Sequence, residues 1–227
     1  MQRVLDFLRD LHDHNDRAWF NANKGRYLEA KAVFEEFALD LASRIRAFDE
    51  SIGPLSIGDI TYRIYRDTRF SKDKSPYKCH MGVFICPGGK KSGYSGYYFH
   101  VSAAMEGGWE TGHIMAVGDY MCEPKVMKLL REDIAYGDGE FRRILSQVDD
   151  RFSLDTSCAL KRVPQGFPTD SPDSEFFKLR NLCLCHYPDE AFVTAPGLAA
   201  RLAEMFRTAQ PFLAFVNRAI EYSREEC

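Results

Sequence analysis

"HMGVFICPGGKKSGYSGYYFHVSAAM", residues 80–105, reads as two β-strands and the turn that joins them. "HMGVFIC" and "YYFHVSAAM" are rich in aromatic and branched residues, and the glycines of "PGGKKSG" between them supply the positive φ angles that a hairpin loop needs. "HIMAV", residues 113–117, adds a candidate strand, and upstream Ile60, Tyr62 and Ile64 alternate with Thr61, Arg63 and Tyr65. Strands that follow one another through short turns pair antiparallel, as a meander.

Helical spacing flanks these strands on both sides. Val4, Leu5, Phe7, Leu8 and Leu11 recur with a helical period, and "HDHND" then stops the helix, with Asn15 expected to cap a short second helix carrying Trp19 and Phe20. From Tyr27 to Phe48 the apolar positions step by three or four, which predicts a long helix that "DESIGPLSIGD" terminates. Pro124 opens another helix through Val126, Met127, Leu130 and Ile134, and a shorter one lies near Phe141, Ile144 and Leu145. "FFKLRNLCLCHY" reads as a short helix feeding a strand. An apolar face then runs from Leu198 to Ala219, where Pro211 either kinks the helix or starts a new one. The reading is α+β: a mostly antiparallel meander sheet covered by long N- and C-terminal helices, in a single domain over residues 1–227.

The 227 residues are 45% hydrophobic, which suits a globular chain and excludes the low-hydrophobicity regime of disorder. Seven cysteines form an odd, irregular set, and "MQRVLDFLRD" at the start lacks the apolar core of a secretory signal. A cytoplasmic protein with reduced thiols is therefore expected, and no membrane span.

Charge is where the chain is unusual. The whole carries −3, yet "RIYRDTRFSKDKSPYK", Arg63 to Lys78, carries +4 and leaves −7 for everything else. Arg63, Arg66, Arg69 and Lys72 fall every third residue, a spacing that suits neither a strand nor a helix, so the cations converge only if the chain turns. Asp67-Thr68 and the stretch from Ser71 to Ser75 offer turn chemistry, and Pro76 marks re-entry into an extended chain. On this reading Arg63, Arg66, Arg69, Ser71, Lys72, Lys74, Tyr77 and Lys78 hold an anion, most simply the phosphate of a small molecule or nucleotide, with Asp67 or His100 available for proton transfer if the site is catalytic. Thr68 adds a hydroxyl. Nucleic acid or an acidic protein partner is the alternative guest. A purely structural alternative pairs these arginines with Glu35, Glu36 or Asp40 on the long helix.

The same segment, with "FLRDLHDHNDRAWFNANKGRY" and the "MGVFI" strand, resembles the signature of a widespread bacterial family of conserved hypothetical proteins, a domain of unknown function. "PKVMKLLREDI", "LKRVPQGF" and "EFFKLRNL" resemble it more weakly, and "AAMEGGWETGHIMAVGDYMCEP" departs from the Gly-rich stretch such proteins carry. The resemblance implies one cytoplasmic α+β domain and brings no reaction or cofactor.

Other constellations carry less. His80, His100 and His113 lie on three successive predicted strands, but His113 shares its face with Met115 and Val117, so core packing is expected there and no metal. Cys183 and Cys185 share one strand face while His186 takes the other, which reads as small buried thiols. "PGGKKSG" lacks phosphate-loop spacing, although Lys90 and Lys91 extend the positive patch if that hairpin folds beside Arg63 to Lys78. Trp19 with Phe20, and Tyr94, Tyr97, Tyr98 and Phe99, are candidates for stacking on bases, with core packing the simpler account. No G-x-S-x-G, H-E-x-x-H or dinucleotide fingerprint is present, and no cofactor is expected.

Overall fold

The computed structural model describes residues 1–69, 72–103 and 112–225. It is α+β, with a five-stranded antiparallel open sheet and helices at both ends of the chain. In chain order the elements are α1 (Gln2–Asp13), α2 (Arg17–Ala22), α3 (Lys24–Arg46), α4 (Ile57–Ile60), β1 (His80–Ile85), β2 (Gly96–Ser102), β3 (Ile114–Asp119), α5 (Pro124–Tyr136), α6 (Glu140–Leu145), β4 (Ser153–Leu154), α7 (Ser174–Phe177), β5 (Leu182–His186), α8 (Glu190–Thr194), α9 (Leu198–Thr208) and α10 (Gln210–Glu225). The strand order β1-β2-β3-β5-β4 begins as the expected meander. It then departs from one, because β5 pairs beside β3 and β4 is left at the edge; Ser153 faces Cys185 and Leu154 faces Leu184. Among the described residues no helix is long and apolar enough to cross a membrane.

By its contacts the chain divides into two compact units. The first comprises Met1–Ser92, Tyr98–Met115 and Tyr187–Ala203. In it α1 and α2 pack on α3, and α3 lies against α4 and β1. The heptad-like spacing of α1 buries Val4, Leu5, Phe7, Leu8 and Leu11, and α3 buries Ala30, Phe34, Ala38, Leu41 and Ile45. The cap of α2 is Asp16, whose side chain accepts from the Trp19 N–H at 2.9 Å; Asn15, expected in that role, is used elsewhere.

The alternation expected over Ile60 to Tyr65 does not become a strand. Ser56 and Asp59 form a capping box that winds Ile57–Ile60 into α4, which takes the first residue of the pattern, and the residues after it pair through isolated bridges, Thr61 to Val83 and Tyr65 to Tyr77.

The second unit comprises Gly93–Tyr97, Ala116–His186 and Glu204–Cys227. Here α10 packs on α5 and α6, and α5 on α7. Pro211 starts a new helix, since α9 ends at Thr208 and α10 begins at Gln210. Cys183 and Cys185 are buried on one strand face with their sulfurs 3.8 Å apart. Gly118, at φ +112°, lets β3 approach β5 so closely that a Cβ there would stand 2.2 Å from the Leu182 carbonyl oxygen.

Candidate functional site

The basic segment doubles back. Arg66 N–H donates to the Pro76 carbonyl at 3.0 Å and Lys78 N–H to the Ile64 carbonyl at 2.8 Å, on either side of the Tyr65–Tyr77 bridge. Ile64–Arg69 and Lys72–Lys78 thus lie on the two sides of a hairpin excursion. Its returning arm is fastened to the N-terminal helices by Asn15, whose Oδ1 accepts from Tyr77 N–H at 3.2 Å and whose Nδ2 donates to the Tyr77 carbonyl at 3.0 Å. Asn15 therefore behaves as a piece of neighbouring strand.

Within the excursion the acids find the bases. Asp67 takes the Arg69 guanidinium in a two-point pair, Nε to Oδ1 at 3.0 Å and Nη2 to Oδ2 at 2.7 Å. These bonds, with the Arg69 N–H, hold the Asp67 carboxyl down at about 2. Asp73 accepts from Ser75 N–H and from Arg66, and both hold its carboxyl well below the usual range. Lys74 donates to the Thr68 carbonyl at 2.9 Å. Arg63 is exposed and acts on Asp67 through its charge; Lys72 is exposed at the tip. Ser71 lies outside the described residues. Tyr77 is turned inward, 4% exposed, and its ring belongs to the core more than to any surface site.

Two of the carboxylates of α3 are engaged along the helix. Lys31 pairs with Glu35 at 3.1 Å and Arg44 with Asp40 at 2.9 Å.

At the base of the hairpin a second group of cations gathers. The β1–β2 loop folds beside the segment: Lys90 N–H donates to the Asp59 carbonyl at 2.9 Å, and its ammonium donates to the Gly58 carbonyl. Lys90 Nζ lies 5.7 Å from the centroid of the Tyr62 ring and Lys78 Nζ lies 5.5 Å from the same centroid. Tyr62 is 45% exposed. Nothing in the residue pattern singled it out, because its partner Lys90 is brought to it by a loop 28 positions further on; the clue available was the pair of lysines in "PGGKKSG".

Beside Tyr62 is a small cavity of about 30 Å³ lined by residues of α3, β1 and the segment between α4 and β1, among them Lys31, Glu35, Thr61 and His80. Near its floor, at Gly82, a Cβ would stand 2.9 Å from the Tyr98 hydroxyl, so the glycine makes room for that hydroxyl. Tyr98 donates to His100 Nδ1 at 2.9 Å while His100 Nε2–H donates to the Gly112 carbonyl at 2.7 Å, which fixes the neutral tautomer. His100 is 1% exposed; burial first, and the charge of His80 next, push its pKa down to about 3. His80 stacks on it with ring centroids 5.0 Å apart. His113 is buried too, its Nδ1 accepting from Ser102 N–H at 3.1 Å. Among the described residues no group of three His, Cys, Asp or Glu side chains stands ready to hold a metal.

The two residues expected to move protons are thus set in opposite states and different places. Asp67 is an exposed carboxylate locked to Arg69; His100 is a buried neutral imidazole with both nitrogens bonded.

An α+β protein whose most basic segment folds back on itself as a hairpin before β1 is the class these features define. The chain belongs to the conserved hypothetical protein family DUF2461, which it matches over residues 3–215. No curated protein and no solved structure matches it.

Proposed function

We propose that the chain binds an anionic small ligand, most simply one bearing phosphate, on the basic hairpin Arg63–Lys78. The observation that carries this reading is the closure of the hairpin through the Tyr65–Tyr77 bridge, which gathers onto one excursion five cations, Arg66, Arg69, Lys72, Lys74 and Lys78, that a straight strand would send to opposite faces. Asp67 and Asp73 neutralise two of them through solvent-exposed pairs that water and salt weaken, so a multiply charged anion competes with them readily. Free thiols at the described cysteines fit the reducing cytoplasm in which such a ligand is abundant.

A structural role for the same charges has its own observation, the Arg66–Asp73 and Arg69–Asp67 pairs that brace the loop. Thermal unfolding at low salt separates the two. Phosphate, pyrophosphate or ATP raises the melting temperature of the wild type, and high salt or the combined variant Arg66→Gln, Lys72→Gln, Lys78→Gln removes the rise. If no anion stabilises the wild type, the binding role is lost and the bracing role stands.

A further inference from the structure

We infer that a binding site separate from the basic hairpin lies in the groove between α3 and the α8–α9 turn, and that it takes a small organic cation, an ammonium group carried on an apolar body.

The groove belongs to the first compact unit and has a volume of about 430 Å³, within the range of cavities that hold small molecules. One wall is a single stripe of α3, Val33, Glu36, Phe37 and Asp40, spaced by three and four so that the residues share a face. The other wall is residues 193–199, the end of α8 and the start of α9. Val33 and Phe37 are half-buried, and Phe37 rests on Phe34 and Phe99 with ring centroids 5.7 and 5.5 Å away. Apolar surface left open on a firm base favours a ligand with an apolar body.

The second wall is preformed. Arg201 reaches back from α9 to the carbonyls that follow α8: Nη2 donates to Phe192 at 2.7 Å and to Ala195 at 3.1 Å, and Nη1 donates to Pro196. Its guanidinium also lies 5.0 Å from the centroid of the Phe192 ring. A turn held at three carbonyls keeps its shape without a ligand, so binding costs little ordering.

Charge then selects the guest. Among the described residues the charged side chains of the lining are Glu36 and Asp40, both acids, and they stand one turn apart, where like charges repel. Asp40 is answered by Arg44 at 2.9 Å, and Lys31 is taken by Glu35 at 3.1 Å. Glu36 enters no ion pair among the described residues. An ammonium group at Glu36 supplies the missing cation while its apolar body covers Val33 and Phe37; an anion of the same shape meets two like charges.

Titration of the isotope-labelled whole chain with 2-phenylethylamine, 2-phenylethanol and phenylacetate, followed by amide NMR shifts, tests this. The amine moves the amides of residues 33–40 and 193–199 saturably, the alcohol binds about fivefold more weakly, the scale of one exposed charge pair, and phenylacetate more weakly still. Glu36→Gln, at an exposed helix position, melts like the wild type and binds the amine about fivefold more weakly, no better than the alcohol. Ala195→Trp, at an exposed position on the rim, fills the groove and removes binding, while Lys78→Gln in the hairpin leaves it unchanged. Equal binding of amine and alcohol, or an amine affinity that Glu36→Gln does not lower, overturns the ligand class. Preference for phenylacetate overturns it too and gives the groove to an anion at the start of α9. Shifts confined to other residues, or no saturable binding of the amine, overturn the site.

Discussion

Tyr77 lies face to face on Phe20, ring centroids 4.0 Å apart and planes inclined by 15°. This stack carries the returning arm of a highly charged hairpin onto α2, and it is one contact in a larger aromatic cluster. Phe20 also meets Phe7, Tyr27 and Tyr65 at centroid distances of 6.4, 5.1 and 6.2 Å. The cations at the hairpin are therefore positioned by apolar packing beneath them, which is independent of their own charge.

Tyr77→Ala should cost about 3–5 kcal/mol in unfolding free energy, as for other buried aromatic truncations, because the stack on Phe20 leaves a cavity. Tyr77→Phe keeps the ring and should stay within about 1 kcal/mol of wild type. Urea denaturation of both variants checks the pair; equal losses would mean the hydroxyl, and not the ring, is what the fold uses.

Asn15 and Asp16 adjoin in sequence and do different work. Asn15→Ala strips partners from the Tyr77 N–H and carbonyl and should cost about 1–3 kcal/mol. Asp16→Ala removes only the cap of α2, worth about 1 kcal/mol. Chemical denaturation ranks them, and proteolysis of the native state should open the hairpin in Asn15→Ala but leave it closed in Asp16→Ala.

Two glycine-to-alanine changes should move in opposite directions. At Gly118 the positive φ and the 2.2 Å approach to the Leu182 carbonyl leave no place for a methyl group, and the loss should exceed about 4 kcal/mol, seen as insoluble or unfolded protein. At Gly25, inside α3, a Cβ meets nothing within 4 Å, so Gly25→Ala should raise stability by about 0.5–1 kcal/mol. Melting curves of the two variants read both signs directly.

These residues also mark what the sequence makes legible. The long helices and β1 to β3 were readable because each repeats its apolar period over enough positions to outweigh local alternatives, as α3 does from Ala30 to Ile45. The turning of the basic segment was readable too, from a charge spacing that fits no straight element. The two-residue β4 was not, since Ser153 and Leu154 hold too few positions to show a period, and α4 was hidden because a single turn capped by Ser56 and Asp59 falls in the Pro- and Gly-containing stretch that ends α3. At the site, the locking of Asp67 by Arg69 is a matter of side-chain geometry over two residues, and the approach of Lys90 to the Tyr62 ring depends on how a loop lands. Neither leaves a periodic trace.

Acid should weaken the fold already between pH 6.5 and 5, and His100 is the reason. Its native pKa is pushed down to about 3 by burial, with His80 and His113 adding like charge and only the Gly112 carbonyl opposing. An unfolded histidine takes a proton near 6.5, so below that value the unfolded chain binds a proton that native His100 refuses, and stability falls as pH falls. The contribution is complete above about pH 6.5 and is progressively lost on the way down to about 3. His113, also depressed by burial, acts with the same sign. Between pH 6.5 and 5, where Asp67 at about 2 stays ionised in both states, His100 alone should account for about 1.5 kcal/mol of lost stability. His100→Gln keeps a polar side chain without a titrating ring, so its unfolding free energy should decline less steeply over that interval. A wild-type curve that is flat from pH 6.5 to 5, or a variant curve parallel to it, would show that the imidazole is protonated as easily in the sheet as in water.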